Sequence, residues 1–170
     1  MKFTSGIENL RLPTRSEAPP QNNKVYLHSG QSHVTTSPTT ITTIVGSCIA
    51  VFLWDSRFGI GGATHYLLPS WDGHGQASPR YGDVALEELL SDMKKAGARV
   101  HDLRAFVYGG GSVLVALQNA AVLGGRNAER AFQWLKANPG ITLIEHNTGG
   151  NKGRKIIFDT IDGRATCHEL

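Results

Sequence analysis

The chain has 170 residues, a length typical of one domain, with 40% hydrophobic residues and 20 glycines. Its net charge is only +3 and its lysines and arginines are scattered, whereas nucleic-acid binding usually leaves a concentrated basic stripe. No apolar stretch approaches the roughly 20 residues of a membrane span, and the N-terminus lacks a secretory signal, so we expect a cytoplasmic protein without membrane insertion.

The start of the chain differs in composition from the rest. Residues 1–22 contain three prolines and few apolar side chains that could anchor them, which predicts a flexible N-terminal tail. Residues 23–170 show one compositional regime and are expected to form a single domain.

The first half of this domain is predicted to be β-structure. Alternating and β-branched segments predict strands over residues 24–28, 41–45, 48–54 and 60–68. The turn-like segment Asp55–Gly59 joins the last two strands into an antiparallel hairpin. Cys48 begins one arm and His65 ends the other, so the hairpin brings these two residues together.

The second half is predicted to contain two helices. Apolar residues at helical spacing indicate helices over 83–97 and 127–138, the second capped by Asn127. Further strands are predicted over residues 103–108, 141–145, 155–160 and 164–168. The element order is therefore mostly β with two main helices.

Cys48 and His65 are the strongest candidates for catalysis. A thiol beside an imidazole makes a nucleophile at neutral pH, and we expect a neighbouring histidine to lower the thiol pKa from ~8.5 towards ~3.5–7.5. The alternative is a purely structural role, in which Cys48 is a small buried apolar residue and His65 is a core histidine whose ring is hydrogen-bonded. Gly46 and Ser47 directly precede the thiol and are small residues, so a substrate can approach closely. Backbone N–H groups at this turn are expected to stabilise an oxyanion.

A third group usually orients such a histidine through its other ring nitrogen. Thr42 and Thr43 both lie on the strand that leads to Cys48, and alternation allows only one of them to face inward. The residues alone do not choose between them.

Other kinds of site find little support. The remaining histidines show no metal-ligand spacing, so neither a metal nor a cofactor is expected. The glycines at 109–111 and 149–150 match no phosphate-binding loop and are predicted to form tight turns near the site. Cys48 and Cys167 are not expected to form a disulfide.

Several segments, taken in order, resemble the CheD family of chemoreceptor glutamine deamidases. They are Gly46-Ser47-Cys48, His65 after Gly61-Gly62, Leu68-Pro69, Arg80–Asp83, Gly109–Ser112, Gly125–Asn127, and Thr148–Asn151 with Arg154–Ile156. Each segment is weak alone, and the ordered set is specific.

The resemblance implies an enzyme that converts receptor glutamines to glutamates, and that also hydrolyses glutamyl methyl esters in some members. Cys48 would be the nucleophile, His65 the base and acid, and Thr42, six positions before the cysteine, the third catalytic residue. The implied fold is a layered α/β sandwich like that of deamidating bacterial toxins. The implied partners are methyl-accepting chemoreceptors, approached at the membrane, and a CheC-type phosphatase.

Two other functions are compatible with these residues. One is a non-catalytic module that docks on a CheC-type phosphatase or a chemoreceptor. The other is a papain-like protease or a transglutaminase-type enzyme, which shares the Cys–His chemistry but differs in leaving group or acceptor.

Overall fold

The computed structural model describes residues 21–113 and 118–170, and within them the chain forms nine strands and two α-helices. The helices are α1 (Gly82–Lys95) and α2 (Gln118–Ala137). The strands are β1 (Asn23–Tyr26), β2 (Gln31–Thr35), β3 (Thr39–Val45), β4 (Ile49–Asp55), β5 (Ile60–Tyr66), β6 (Leu103–Gly109), β7 (Thr142–Thr148), β8 (Arg154–Asp159) and β9 (Arg164–Glu169). Nearly all of the predicted tail lies outside the described residues, which include only its last two positions.

The strands form two sheets. One has the order β1-β3-β8-β9 and the other β2-β5-β4-β6-β7. All pairs are antiparallel except β1 with β3 and β6 with β7. The prediction of an α/β fold with mostly antiparallel strands and two main helices is confirmed.

Strand β4 lies at the centre of the molecule and is buried on both faces. Its alternating side chains point to opposite faces. Ile49, Val51 and Leu53 pack with α1 and α2, whereas Ala50, Phe52 and Trp54 pack against the four-stranded sheet. The result is a layered arrangement with the five-stranded sheet between the helices and the second sheet.

Two elements differ from the sequence prediction. Strand β2 was missed because Gln31–Thr35 offers one aliphatic side chain and no apolar alternation; it forms by pairing with β5. Helix α2 begins nine residues before its predicted start, so Asn127 is not its cap but lies well inside it. Gly124 and Gly125, which resemble a helix break, are helical here.

Candidate active site

The β4–β5 hairpin forms as predicted and places Cys48 and His65 at the same end of the sheet. Ala50 pairs with His65 and Ile49 with Tyr66, so Cys48 comes directly before the last pair of the ladder. Cys48 is partly exposed, whereas the His65 side chain is buried between the two sheets.

The position of the His65 ring is set by Thr43 of β3. The Thr43 hydroxyl donates to the carbonyl oxygen of Leu27 at 2.7 Å and lies 2.9 Å from His65 Nδ1. A hydroxyl has one hydrogen, and Leu27 receives it, so Thr43 Oγ1 must accept from Nδ1–H. The hydrogen therefore resides on Nδ1, and Nε2 carries the lone pair. No group in the described part of the chain hydrogen-bonds to that buried Nε2.

The threonine that contacts the His65 ring is thus Thr43, whereas the resemblance implies Thr42 as the third catalytic residue. Along β3, Ile41, Thr43 and Val45 face inward and are buried, whereas Thr42 lies on the other face. The Thr42 hydroxyl makes no hydrogen bond to any residue that the structure describes.

Burial controls the ionisation of both reactive groups. It lowers the pKa of His65 to about 4, with the Leu27 carbonyl raising it and the charge of His28 lowering it further. It raises the pKa of Cys48, an effect that the backbone N–H of Cys48 itself partly opposes. The expectation of a lowered thiol pKa is therefore wrong, because burial disfavours the charged thiolate and raises the pKa of Cys48. At neutral pH the pair rests as a thiol and an uncharged imidazole.

The segment that carries Cys48 is held through its carbonyl groups. The oxygens of Gly46 and Cys48 accept hydrogen bonds from Gly111 N and Gly110 N at 2.7 and 2.8 Å, and that of Ser47 accepts from an amide side chain. By contrast, the N–H groups of Ser47 and Cys48 donate to no other residue within residues 21–113 and 118–170. They are available to a ligand.

The glycines at 109–111 lie beside the site, where Gly109 ends β6 and the tight turn expected from the sequence is not formed. Gly109 and Gly110 have φ values of 117° and 67°, which other residues rarely adopt. A Cβ on Gly109 would collide with the carbonyl of Cys48, so only glycine allows this approach.

A cleft of about 540 Å³ opens beside the thiol. Its lining is mostly apolar and consists of Ile44, Val45, Gly46, Ser47, Cys48, Val113, Gly153 and Leu170. A group entering this cleft meets Cys48 first, since His65 lies deeper.

Sequence reasoning missed two residues that support the site. The sequence predicts that Asn127 caps a helix, and it marks Arg154 only as part of a motif. The buried Arg154 guanidinium donates to Asn147 Oδ1 and Gly149 O at 2.8 and 2.7 Å, and Gly150 O accepts from Ser112 N. Both residues stand at the predicted beginning of a helix or strand, and nothing in the sequence marks their polar side chains as buried.

Two further absences concern the described residues alone. They contain no group of three or more His, Cys, Asp or Glu side chains arranged to bind a metal. Nor do they include a helix with the length and hydropathy required to cross a membrane.

Comparison with known proteins identifies the family. A family model described as CheD chemotactic sensory transduction matches residues 67–169. A probable chemoreceptor glutamine deamidase CheD of Trichlorobacter lovleyi is 43% identical over 82% of this chain and 86% of its own length. The chain belongs to the CheD family.

Two other CheD relatives extend this similarity. One from Anaeromyxobacter dehalogenans, a probable chemoreceptor glutamine deamidase CheD 1, is 40% identical over 99% of both chains. Another from Sulfurimonas denitrificans is 39% identical over 83% of this chain and 90% of its own length. The family model begins after Cys48 and His65, whereas the Anaeromyxobacter alignment spans nearly the whole chain, including both residues.

Proposed function

We propose that this protein is a glutamine deamidase that converts glutamine side chains of methyl-accepting chemoreceptors to glutamates. The CheD relatives are named as probable chemoreceptor glutamine deamidases, which supports the substrate class. The observation that carries the chemistry is the hydrogen bonding of His65. Thr43 holds the proton on Nδ1, and Nε2 is left with its lone pair on the hairpin end that carries Cys48.

The first half-reaction forms a thioester. Sγ of Cys48 attacks the carboxamide carbon while His65 Nε2 takes the thiol proton. The N–H groups of Ser47 and Cys48, which have no other described partner, support the proposal that they bind the oxyanion. The C–N bond then breaks, Nε2 returns its proton to the leaving nitrogen, and ammonia departs.

The second half-reaction restores the enzyme. His65 Nε2 takes a proton from water, and the resulting hydroxide attacks the thioester carbon. The C–S bond breaks, the proton passes from Nε2 to Sγ, and glutamate is released. Because burial raises the pKa of Cys48 and lowers that of His65, the reaction starts from an uncharged thiol and an uncharged imidazole.

Ammonia release tests the proposal. A recombinant chemoreceptor cytoplasmic fragment is incubated with wild-type protein, and mass spectrometry identifies glutamines that have become glutamates. Cys167→Ala removes the other cysteine, outside the cleft, and should retain activity, whereas Cys48→Ala should abolish it. Peptide cleavage or amine incorporation would indicate a protease or transglutaminase. If no ammonia is released from several different receptors, but the folded protein still binds a receptor or a phosphatase, the protein would instead be a docking module.

Two finer points belong to the same proposal. A glutamyl methyl ester fits the same steps with methanol as leaving group, which a methylated receptor fragment tests.

A CheC-type phosphatase would cover the mouth of the apolar cleft, where Ile44 and Val113 are exposed. Inhibition of deamidation by the phosphatase, relieved by Val113→Asp, would support that site, and unrelieved inhibition would contradict it.

A further inference from the structure

The buried side chain of Asn127 joins the nucleophile segment to the strand that carries the base. Its Nδ2 donates to Ser47 O at 2.9 Å and to Leu67 O at 2.8 Å. Ser47 directly precedes the nucleophile, and Leu67 follows His65 by two positions. One amide group therefore spans both catalytic segments.

This bridge lies where the β4–β5 ladder ends. Ile49 and Tyr66 form the last pair, and Ser47 and Leu67 lie beyond it. Two carbonyl oxygens cannot hydrogen-bond each other, so holding them together requires a group with two donors. An uncharged NH₂ supplies both from one atom, with no charge to bury.

The bridge is itself anchored. The Tyr66 hydroxyl donates to the backbone oxygen of Asn127 at 2.6 Å, and both residues are fully buried. One helical turn earlier, the backbone of Gly124 packs directly against Gly110, whose N–H holds the Cys48 carbonyl. Helix α2 therefore holds the nucleophile segment at two points.

The bridge also carries a cost. Asn127 Oδ1 is buried and finds no hydrogen-bond partner in the described ranges. A buried acceptor without a partner destabilises the fold, and an apolar side chain of similar size would avoid that penalty. The amide is nevertheless present here, and its NH₂ group supplies the two N–H donors that bind Ser47 O and Leu67 O.

We propose that Asn127 is a positioning residue for catalysis. Its two hydrogen bonds hold Cys48 in register with His65 and fix the backbone between Ser47 and Cys48, which lines the cleft. The role concerns geometry at the nucleophile and not substrate binding. The inference rests on the proposed deamidase function.

Asn127→Asp tests the role with nearly unchanged shape, because it replaces the NH₂ donors with an acceptor facing two carbonyls. Asn127→Ser, which keeps one donor, and Tyr66→Phe, which releases the anchor, are milder variants in case the first does not fold. Asn138→Ala is the matched control, since Asn138 also donates from Nδ2 to a backbone oxygen, Trp134 O, at the far end of α2.

Deamidation kinetics and alkylation of Cys48 by iodoacetamide across pH are measured per folded molecule, with folding checked by circular dichroism. We expect kcat to fall by about a hundredfold in Asn127→Asp and less in the milder variants, at nearly unchanged KM. The pH profile of Cys48 alkylation should shift, while Asn138→Ala matches wild type.

A folded Asn127→Asp or Asn127→Ser variant with wild-type kcat and alkylation profile would overturn the proposal. The proposal would also be overturned if the loss of activity in each variant were fully explained by the fraction of molecules that is unfolded. If wild-type protein deamidates no receptor, the proposed function fails, and the alkylation profile still decides whether Asn127 positions Cys48.

Discussion

Thr43 and His65 lie on strands of different sheets, yet Thr43 Oγ1 accepts the hydrogen bond from His65 Nδ1 at 2.9 Å. Thr43 belongs to β3 and His65 to β5, and these two strands are not neighbours in either sheet. The tautomer of the proposed base is thus determined by packing between sheets and not by the hairpin that brings it near Cys48.

This contact predicts different effects for two adjacent threonines. Thr43→Val removes the acceptor for Nδ1–H and should lower kcat by about 10- to 100-fold. It also leaves the Leu27 carbonyl without a buried donor, at a cost of about 1–3 kcal/mol in the free energy of unfolding. Thr42→Val, on the other face of the same strand, is the control and should change neither. Equal losses in both variants, measured by ammonia release and urea unfolding, would contradict the assignment.

The raised pKa of Cys48 predicts how the thiol reacts with iodoacetamide. Alkylation in the Cys167→Ala background should accelerate with pH and level off only above the ordinary thiol pKa of ~8.5. A resting thiolate–imidazolium pair would instead give a plateau that begins below neutral pH. Observing that plateau would refute the uncharged resting pair.

The lowered pKa of His65, about 4, predicts a pH-dependent stability. Between pH 4 and the unfolded pKa of ~6.5 the unfolded chain binds more protons, so stability increases with pH through this window. The free energy of unfolding should therefore fall by up to about 3 kcal/mol between pH 7 and pH 4. His65→Gln, which cannot ionise, should show a weaker dependence in urea titrations at the two pH values. An identical slope in both proteins would exclude His65 as the source.

The close contact between Gly109 and Cys48 predicts that Gly109→Ala is severe. The new Cβ meets the Cys48 carbonyl at a positive φ, so we expect a loss of about 2–4 kcal/mol in stability and a large loss of activity. Gly59→Ala is the matched control, because Gly59 also has a positive φ but no atom near its Cβ. It should cost about 1 kcal/mol and leave kcat unchanged. If the two variants lose the same stability and activity, the contact between Gly109 and the Cys48 carbonyl is not the cause of the loss.

The hairpin could be predicted from sequence because its evidence is local. Two apolar arms and a turn determine which ends meet, and β4 and β5 follow the predicted boundaries within two residues. Strand β2 could not be predicted, because Gln31–Thr35 gains its structure from pairing with a distant strand.

The supporting residues required knowledge of three-dimensional packing. Alternation allowed either Thr42 or Thr43 to face inward, and only the position of β5 behind β3 decides for Thr43. Gly124 resembles a helix break because glycine disfavours helices, but here its missing side chain lets α2 contact Gly110. The sequence therefore places Asn127 at a helix end, whereas in the structure it lies inside α2 at the junction of three segments.

The division of the site between two sheets has a consequence for refolding. Each sheet can complete its own backbone hydrogen bonds without the other, but Thr43 reaches His65 only when the sheets are docked in the correct register. A partially folded chain can therefore have native-like β-structure and still lack an oriented base. Catalytic activity should return later than the far-UV circular dichroism signal, which makes enzyme turnover a reporter of the moment at which the two sheets lock together.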